Sequence, residues 1–147
     1  MSTDTKIARW SLALIALFML PVALQATFTP RSWFEDFPFG RGWIAAEGGT
    51  FDEHLVRDIG GLFLALVLVT AWAVWRVTAL AAVALAWLVQ GSLHLWYHVG
   101  HLDGLSGGDQ IALIGSLVSI PLLAAIALWF STRGDRSTDP VEAVGGP

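Results

Sequence analysis

The sequence has 147 residues, of which 55% are hydrophobic and 14% are charged. Soluble domains carry about 25% charged residues, so this composition excludes a disordered chain and argues strongly against a soluble globular domain. Eight Lys and Arg residues against twelve Asp and Glu give no basic surface for phosphates, which argues against nucleic acid as a partner. Because cysteine is absent, disulfides, thiolate metal ligands and cysteine nucleophiles are excluded.

Four apolar stretches predict an all-α membrane four-helix bundle. They cover about residues 10–28, 51–75, 77–100 and 110–131. Each is close to the ~20 apolar residues with which a helix crosses ~30 Å of hydrocarbon. Their continuous apolar runs favour helices over barrel strands. The second and third stretches together are too long for one crossing, so we expect a break at Arg76, with Thr78 as the N-cap of the third helix.

The basic residues predict how these helices are oriented. Five lie on one side of a four-pass topology, whereas two lie in the opposite loops, which indicates that the first side is cytoplasmic. We expect a multi-pass protein of the inner membrane with both termini in the cytoplasm. Residues 1–131 form the predicted transmembrane domain, and the polar residues 132–147 form a predicted disordered tail. The five basic residues on the predicted cytoplasmic side are Lys6, Arg9, Arg76, Arg133 and Arg136, and the two in the opposite loops are Arg31 and Arg41.

The loop between the first two predicted helices, residues 29–50, is rich in aromatic side chains and is called the aromatic loop below. One interpretation is a belt at headgroup depth, where aromatic rings are enriched. The other is a lid over a polar site at the same end of the bundle. The aromatic residues are Trp33, Phe34, Phe37, Phe39 and Trp43.

All four histidines lie at the predicted outward end, in two groups with helical spacing. One face of the second helix carries His54, Arg57 and Asp58, and one face of the third carries Gln90, His94, His98 and His101. If these helices form an antiparallel hairpin about Arg76, equal distances from the turn place Asp58 beside His94 and His54 beside His98. Ionisable groups inside a membrane segment pair with one another and are functional by default.

Local structural roles are the alternative explanation for several of these residues. Thr50 and Glu53 match a capping box at the start of the second helix, and Asp109 is a candidate N-cap of the fourth. Arg57 and Asp58 can form an ion pair that fixes helix register. His94 and His98 can serve interhelical hydrogen bonds, and His101 and Asp103 can be solvated loop residues.

Three chemistries suit the candidate ligands His54, Asp58, His94 and His98. His54, His94 and His98 form a candidate site for a transition metal, with Asp58 or His101 as a further partner. Haem is a second possibility, with His54 and either His94 or His98 as axial ligands and Gly60, Gly61 and Gly91 providing space. A proton-relay, quinol or pH-sensing site is a third. The supporting residues would be Glu53, Arg57, Gln90, Tyr97, His101 and Asp103.

The two polar stretches, FDEHLVRDIG at residues 51–60 and HLWYHVGHLDGL at residues 94–105, resemble small four-helix membrane proteins of high-GC actinobacteria. Those proteins usually carry an N-E-H-L-x-R-D-x-G stretch and a histidine-rich end of the third helix. The likeness spans roughly residues 33–113. This chain has Asp52 where that family has Asn, and either residue can cap a helix. The resemblance implies the architecture and an important motif, and it implies no activity.

These observations favour a binding module over an enzyme. The leading hypothesis is an outward-facing site between the second and third helices that binds a metal ion, haem or a small lipid-soluble ligand, within a larger complex or a homo-oligomer. The second hypothesis is a structural or assembly subunit in which the cluster only fixes helix packing. The third is a proton-relay or redox enzyme component. No hydrolase or phosphate-binding motif accompanies the cluster.

Overall fold

The computed structural model of the protein describes residues 1–136, and within that range it is all-helical. The predicted tail from residue 137 onward lies outside the described residues. Four helices are long and apolar enough to cross a membrane, which confirms the predicted helical class. The helices are α1 (Thr3–Phe28), α2 (Pro30–Asp36), α3 (Trp43–Ala46), α4 (Glu53–Arg76), α5 (Leu80–Val99) and α6 (Gly107–Arg136).

The four long helices follow the predicted stretches, with differences at their ends. α4 ends at Arg76, as predicted. Thr78 does not cap α5, because the chain reverses through left-handed backbone at Val77 and Ala79 and Ala79 takes the N-cap position. α6 continues to Arg136 rather than stopping at residue 131. The Thr132 hydroxyl donates to the Leu128 carbonyl at 3.0 Å, so this polar residue is satisfied within the helix.

The order of helices around the bundle differs from the predicted hairpin. α1 packs along α4 on one side and along α6 on the other, and α5 packs along α6. α4 and α5 are joined by residues 77–79 but have little contact with each other. The prediction that they form a closely packed pair is therefore wrong. Trp87 of α5 bridges them through its indole N–H, which donates to Thr70 Oγ1 at 2.8 Å.

Two glycines explain why each of these helices prefers another partner. A Cβ on Gly60 of α4 would lie 2.6 Å from the backbone nitrogen of Thr27 in α1. A Cβ on Gly91 of α5 would lie 3.0 Å from Cδ of Pro121 in α6. Both glycines therefore permit close helix crossings. The space that haem would need at Gly60 and Gly91 is filled by the neighbouring helices.

The apolar core lies in the half of the bundle near Arg76, called the Arg76 end below. Its largest fully buried side chains are Trp87, Leu12, Ile15 and Thr70. The opposite end, where α1 and α5 end and α4 and α6 begin, carries all four histidines and is called the histidine end. The core cluster comprises Ala8, Leu12, Ile15, Val67, Ala73, Leu80, Val83, Ala84, Trp87, Ile120, Ala124 and Ala127.

Candidate functional site

The aromatic loop folds onto the histidine end through α2 and α3. α2 packs against α1, α3 and the start of α4. The guanidinium carbon of Arg31 lies 4.5 Å from the centre of the Phe51 ring, and Phe34 meets that ring edge-on at 5.5 Å. Phe39 is fully exposed, whereas Trp43 is buried. The loop therefore has one face turned outward and another turned into the protein.

Glu47 and His98 form the most buried contact between a histidine and a carboxylate among the described side chains. Glu47 Oε1 lies 2.7 Å from His98 Nδ1, and each side chain is 12% exposed. Glu47 follows the last residue of α3, so the aromatic loop delivers a carboxylate directly to the end of α5. His98 was among the residues predicted from the sequence, whereas Glu47 was not. The available signal was one acidic residue between the apolar segment WIAA and two glycines.

The other polar rings at the end of α5 surround His98. The His94 ring meets the His98 ring edge-on, with 4.6 Å between their centres. Tyr97 also meets His98 edge-on, at 5.3 Å, and stacks on His101 at 4.1 Å. His101 Nδ1 lies 2.7 Å from the Tyr97 carbonyl oxygen. The structure therefore brings together three of the four histidines, with His94 and His98 on α5 and His101 directly after its C-cap Gly100.

His54 and Asp58 lie on a separate surface of α4. His54 Nε2 is 3.3 Å from Asp58 Oδ2, and their side chains are 89% and 61% exposed. In the described part of the chain, neither forms a hydrogen bond or ion pair with α5, and no three His, Asp or Glu side chains converge as a metal ion requires. The structure thus does not assemble His54, His94 and His98 into the predicted metal site.

Arg57 and Glu53 serve the junction between α4 and α1. Arg57 Nε donates to Glu53 Oε1 at 2.9 Å, and Arg57 Nη1 donates to the Thr27 carbonyl at 2.6 Å. The arginine therefore binds a carbonyl at the C-terminus of α1, where the helix dipole favours positive charge. The predicted capping box is replaced by a simpler cap, since Asp52 Oδ1 accepts from the Leu55 N–H at 3.1 Å and Thr50 takes no part.

Asp109 joins the aromatic loop to α6. Its carboxylate accepts from the Trp43 indole N–H at 3.0 Å, from Ser106 Oγ at 2.7 Å and from Arg41 Nη1. Ser106, rather than Asp109, is the N-cap of α6, because Ser106 Oγ accepts from the Asp109 N–H at 3.2 Å. The N-cap of α6 therefore lies three residues before the predicted Asp109. Asp109 instead connects α6 to the aromatic loop.

The remaining predicted supporting residues contribute less to this geometry. Gln90 is half-buried and Asp103 is exposed. Neither side chain forms a hydrogen bond within residues 1–136. The solvated-loop interpretation therefore suits Asp103.

An apolar groove lies between the end of α5 and α6. Its volume is about 570 Å³. Most of its lining comes from the last two turns of α5, on a different face of the helix from His94 and His98, and neither histidine lines it. The groove is lined by Ser92, Leu95, Trp96, Val99, Gly100 and Pro121.

No protein-family model matches this sequence, and no curated protein or solved structure matches it either.

Proposed function

We propose that this chain is a multi-pass inner-membrane protein with both termini and the Arg76 end in the cytoplasm. The unequal distribution of Lys and Arg supports this orientation. Paired basic and aromatic side chains at that end also suit an interface: Arg76 lies 5.5 Å from the Trp75 ring and Arg133 lies 4.5 Å from the Trp129 ring. The resemblance to small four-helix actinobacterial proteins supports the same architecture. In this orientation, the histidine end faces outward.

The proposed function is to bind a small lipid-soluble ligand that carries a hydroxyl group, with His98 as the main polar contact. The buried Glu47–His98 pair carries the proposal. Because the Glu47 carboxylate engages Nδ1, it favours the tautomer with the proton on Nδ1 and leaves Nε2 as an acceptor. A ligand hydroxyl can then donate to Nε2.

The end of α5 supports a ligand that is mostly apolar. Its exposed apolar side chains include Leu93, Trp96 and Val99, and a ring or an alkyl tail can pack against them. His94 and Tyr97 provide further edges at 4.6 and 5.3 Å from the His98 ring centre. The predicted metal and haem sites both depend on His54, which lies on the separate surface of α4. Of the three ligand classes predicted from the sequence, we therefore prefer the small lipid-soluble ligand.

A binding experiment with a matched pair of probes tests this proposal. The full chain in nanodiscs is titrated with decylhydroquinone and with its dimethyl ether, which keeps the ring and tail but loses both donors. A hydrogen bond to His98 gives roughly tenfold tighter binding of the hydroquinone. His98→Ala should abolish that preference, Glu47→Gln should reduce it, and His54→Ala on the other surface should preserve it. Equal binding of the two probes by the unmodified chain would refute the proposal.

A further inference from the structure

One face of α4 points away from the rest of its own bundle and carries an unusual combination of residues. His54, Asp58, Gly61 and Ala65 recur at helical spacing along it and are called the α4 stripe below. The buried residues of α4, which include Val56, Gly60, Val67 and Thr70, lie on other faces. His54 and Asp58 pair only with each other in the described structure.

The adjacent glycines of α4 show that the stripe is suited to a contact which the chain itself does not make. Gly60 is required by the crossing with α1, because a Cβ there would lie 2.6 Å from backbone. A Cβ on Gly61 would meet nothing within 4 Å. Gly61 and Ala65 form a small-x-x-x-small pair, which lets a second helix approach closely. The packing of this chain thus explains Gly60 and leaves Gly61 facing open space.

Asp58 makes bare lipid an unsuitable neighbour for the α4 stripe. In a membrane-spanning α4, Asp58 lies ~7.5 Å along the axis from the first residue of the helix. A carboxylate there is strongly disfavoured against hydrocarbon unless it meets protein, water or a partner charge. His54 is one turn closer to the helix end and is 89% exposed. His54 Nε2 lies 3.3 Å from Asp58 Oδ2 but leaves the Asp58 side chain 61% exposed, so the stripe still presents a carboxylate to a neighbouring helix.

We propose that the α4 stripe binds a transmembrane helix of another protein that carries a Lys or Arg side chain at the depth of Asp58. The negative charge of Asp58 favours a partner helix with a positive charge at the same depth. A second copy in the same membrane would be related by a two-fold axis along the membrane normal, which would place Asp58 against Asp58. The proposal depends on the membrane insertion proposed above and is independent of any ligand at His98.

Binding of model transmembrane peptides tests the charge requirement. A Leu/Ala peptide with one Lys five residues from its end, and a matched peptide with Leu there, carry an acceptor dye. The donor-labelled full chain is reconstituted in 3:1 phosphatidylethanolamine/phosphatidylglycerol vesicles, and association is measured by energy transfer. We expect the Lys peptide to bind roughly fivefold to thirtyfold more tightly than the Leu peptide. Asp58→Asn should remove that difference.

A second substitution tests the close approach and keeps the proposal falsifiable if Asp58→Asn alters folding. Gly61→Leu should weaken binding of the Lys peptide at least fivefold. Gly115→Leu on α6 is the matched control, since a Cβ on Gly115 also meets nothing within 4 Å, and it should leave binding unchanged. Equal affinity for the two peptides would overturn the proposal. So would self-association of the chain that Gly61→Leu abolishes, because the stripe would then bind a second copy. His98 ligand binding should survive both α4 substitutions.

Discussion

At the Arg76 end the long helices pack through apolar side chains, whereas at the histidine end they are joined by hydrogen bonds and ion pairs. Trp87, Leu12 and Ile15 fill the first end and are fully buried. The second end depends on Glu47 with His98 and on Trp43 with Asp109, at 2.7 and 3.0 Å. Apolar packing is non-directional and is destabilised by changes of side-chain volume, while polar contacts fix orientation. The two ends therefore differ in what a substitution removes, which is packed volume at the Arg76 end and a directional polar contact at the histidine end.

The largest predicted loss of stability comes from Trp87→Ala, which removes the largest buried side chain of the Arg76 end. A cavity of this size costs about 3–5 kcal/mol, and the hydrogen bond from the indole N–H to Thr70 Oγ1 is lost as well. Unfolding in mixed micelles by increasing dodecyl sulfate measures the effect. Trp96→Ala is the matched control, because Trp96 is 84% exposed, and its change should stay below about 0.5 kcal/mol. Similar losses in the two variants would contradict a core centred on Trp87.

Gly60→Ala should have the next largest effect, because the new methyl group would lie 2.6 Å from backbone nitrogen in α1. Overpacking of this kind typically costs about 1–3 kcal/mol. Because the neighbouring atom belongs to the backbone of α1 and cannot move aside easily, we expect a cost near the upper end of this range. Gly61→Ala meets no atom within 4 Å and should be neutral or slightly stabilising through helix propensity. The same unfolding assay compares the neighbours. A neutral Gly60→Ala would mean that α1 and α4 cross elsewhere.

Glu47→Ala tests whether the aromatic loop is held at the histidine end. His98 Nδ1 loses its partner in a site where the ring is 12% exposed, and an unsatisfied buried group costs about 1–3 kcal/mol. The loss should be local, so hydrogen exchange should rise at amides of α2 and α3 and stay unchanged in α1. Glu35→Ala removes an exposed pair with Arg31 and should cost at most about 1 kcal/mol. An equal rise in hydrogen exchange in all helices would show that the contact between Glu47 and His98 does not act locally.

Sequence patterns predicted the helices well and their neighbours poorly, for a physical reason. Hydrophobic length defines a helix that can span a membrane, and the break at Arg76 follows from length alone. Neighbour choice depends on which small residue meets which backbone, and Gly60, Gly61 and Gly91 look alike in sequence. Only the structure distinguishes the glycines that contact another helix from Gly61, which contacts none.

The candidate site shows a second limit of the same kind. Periodicity grouped His94 and His98 correctly, because both lie on one helix. It could not find Glu47, which lies 51 residues from His98 in a segment without helical periodicity. It also paired His54 with His98 on the assumption that helices adjacent in sequence pack together. At the start of α4, Thr50 and Asp52 both suit an N-cap, so residue type alone could not choose between them.

The smallest predicted effect concerns one hydrogen bond, which Trp43 of the aromatic loop forms and Trp33 does not. Trp43→Phe keeps a buried ring but removes the donor to Asp109, at 3.0 Å, which should cost about 1 kcal/mol and raise hydrogen exchange in α3. Trp33 Nε1 is buried and has no partner within residues 1–136. Trp33→Phe removes a polar group that gains nothing from burial, so it should be neutral or stabilising. Equal losses of stability in the two variants would show that the size of the ring, and not the hydrogen bond, determines the effect. The contact between the aromatic loop and α6 would then depend on apolar packing, as the contacts at the Arg76 end do.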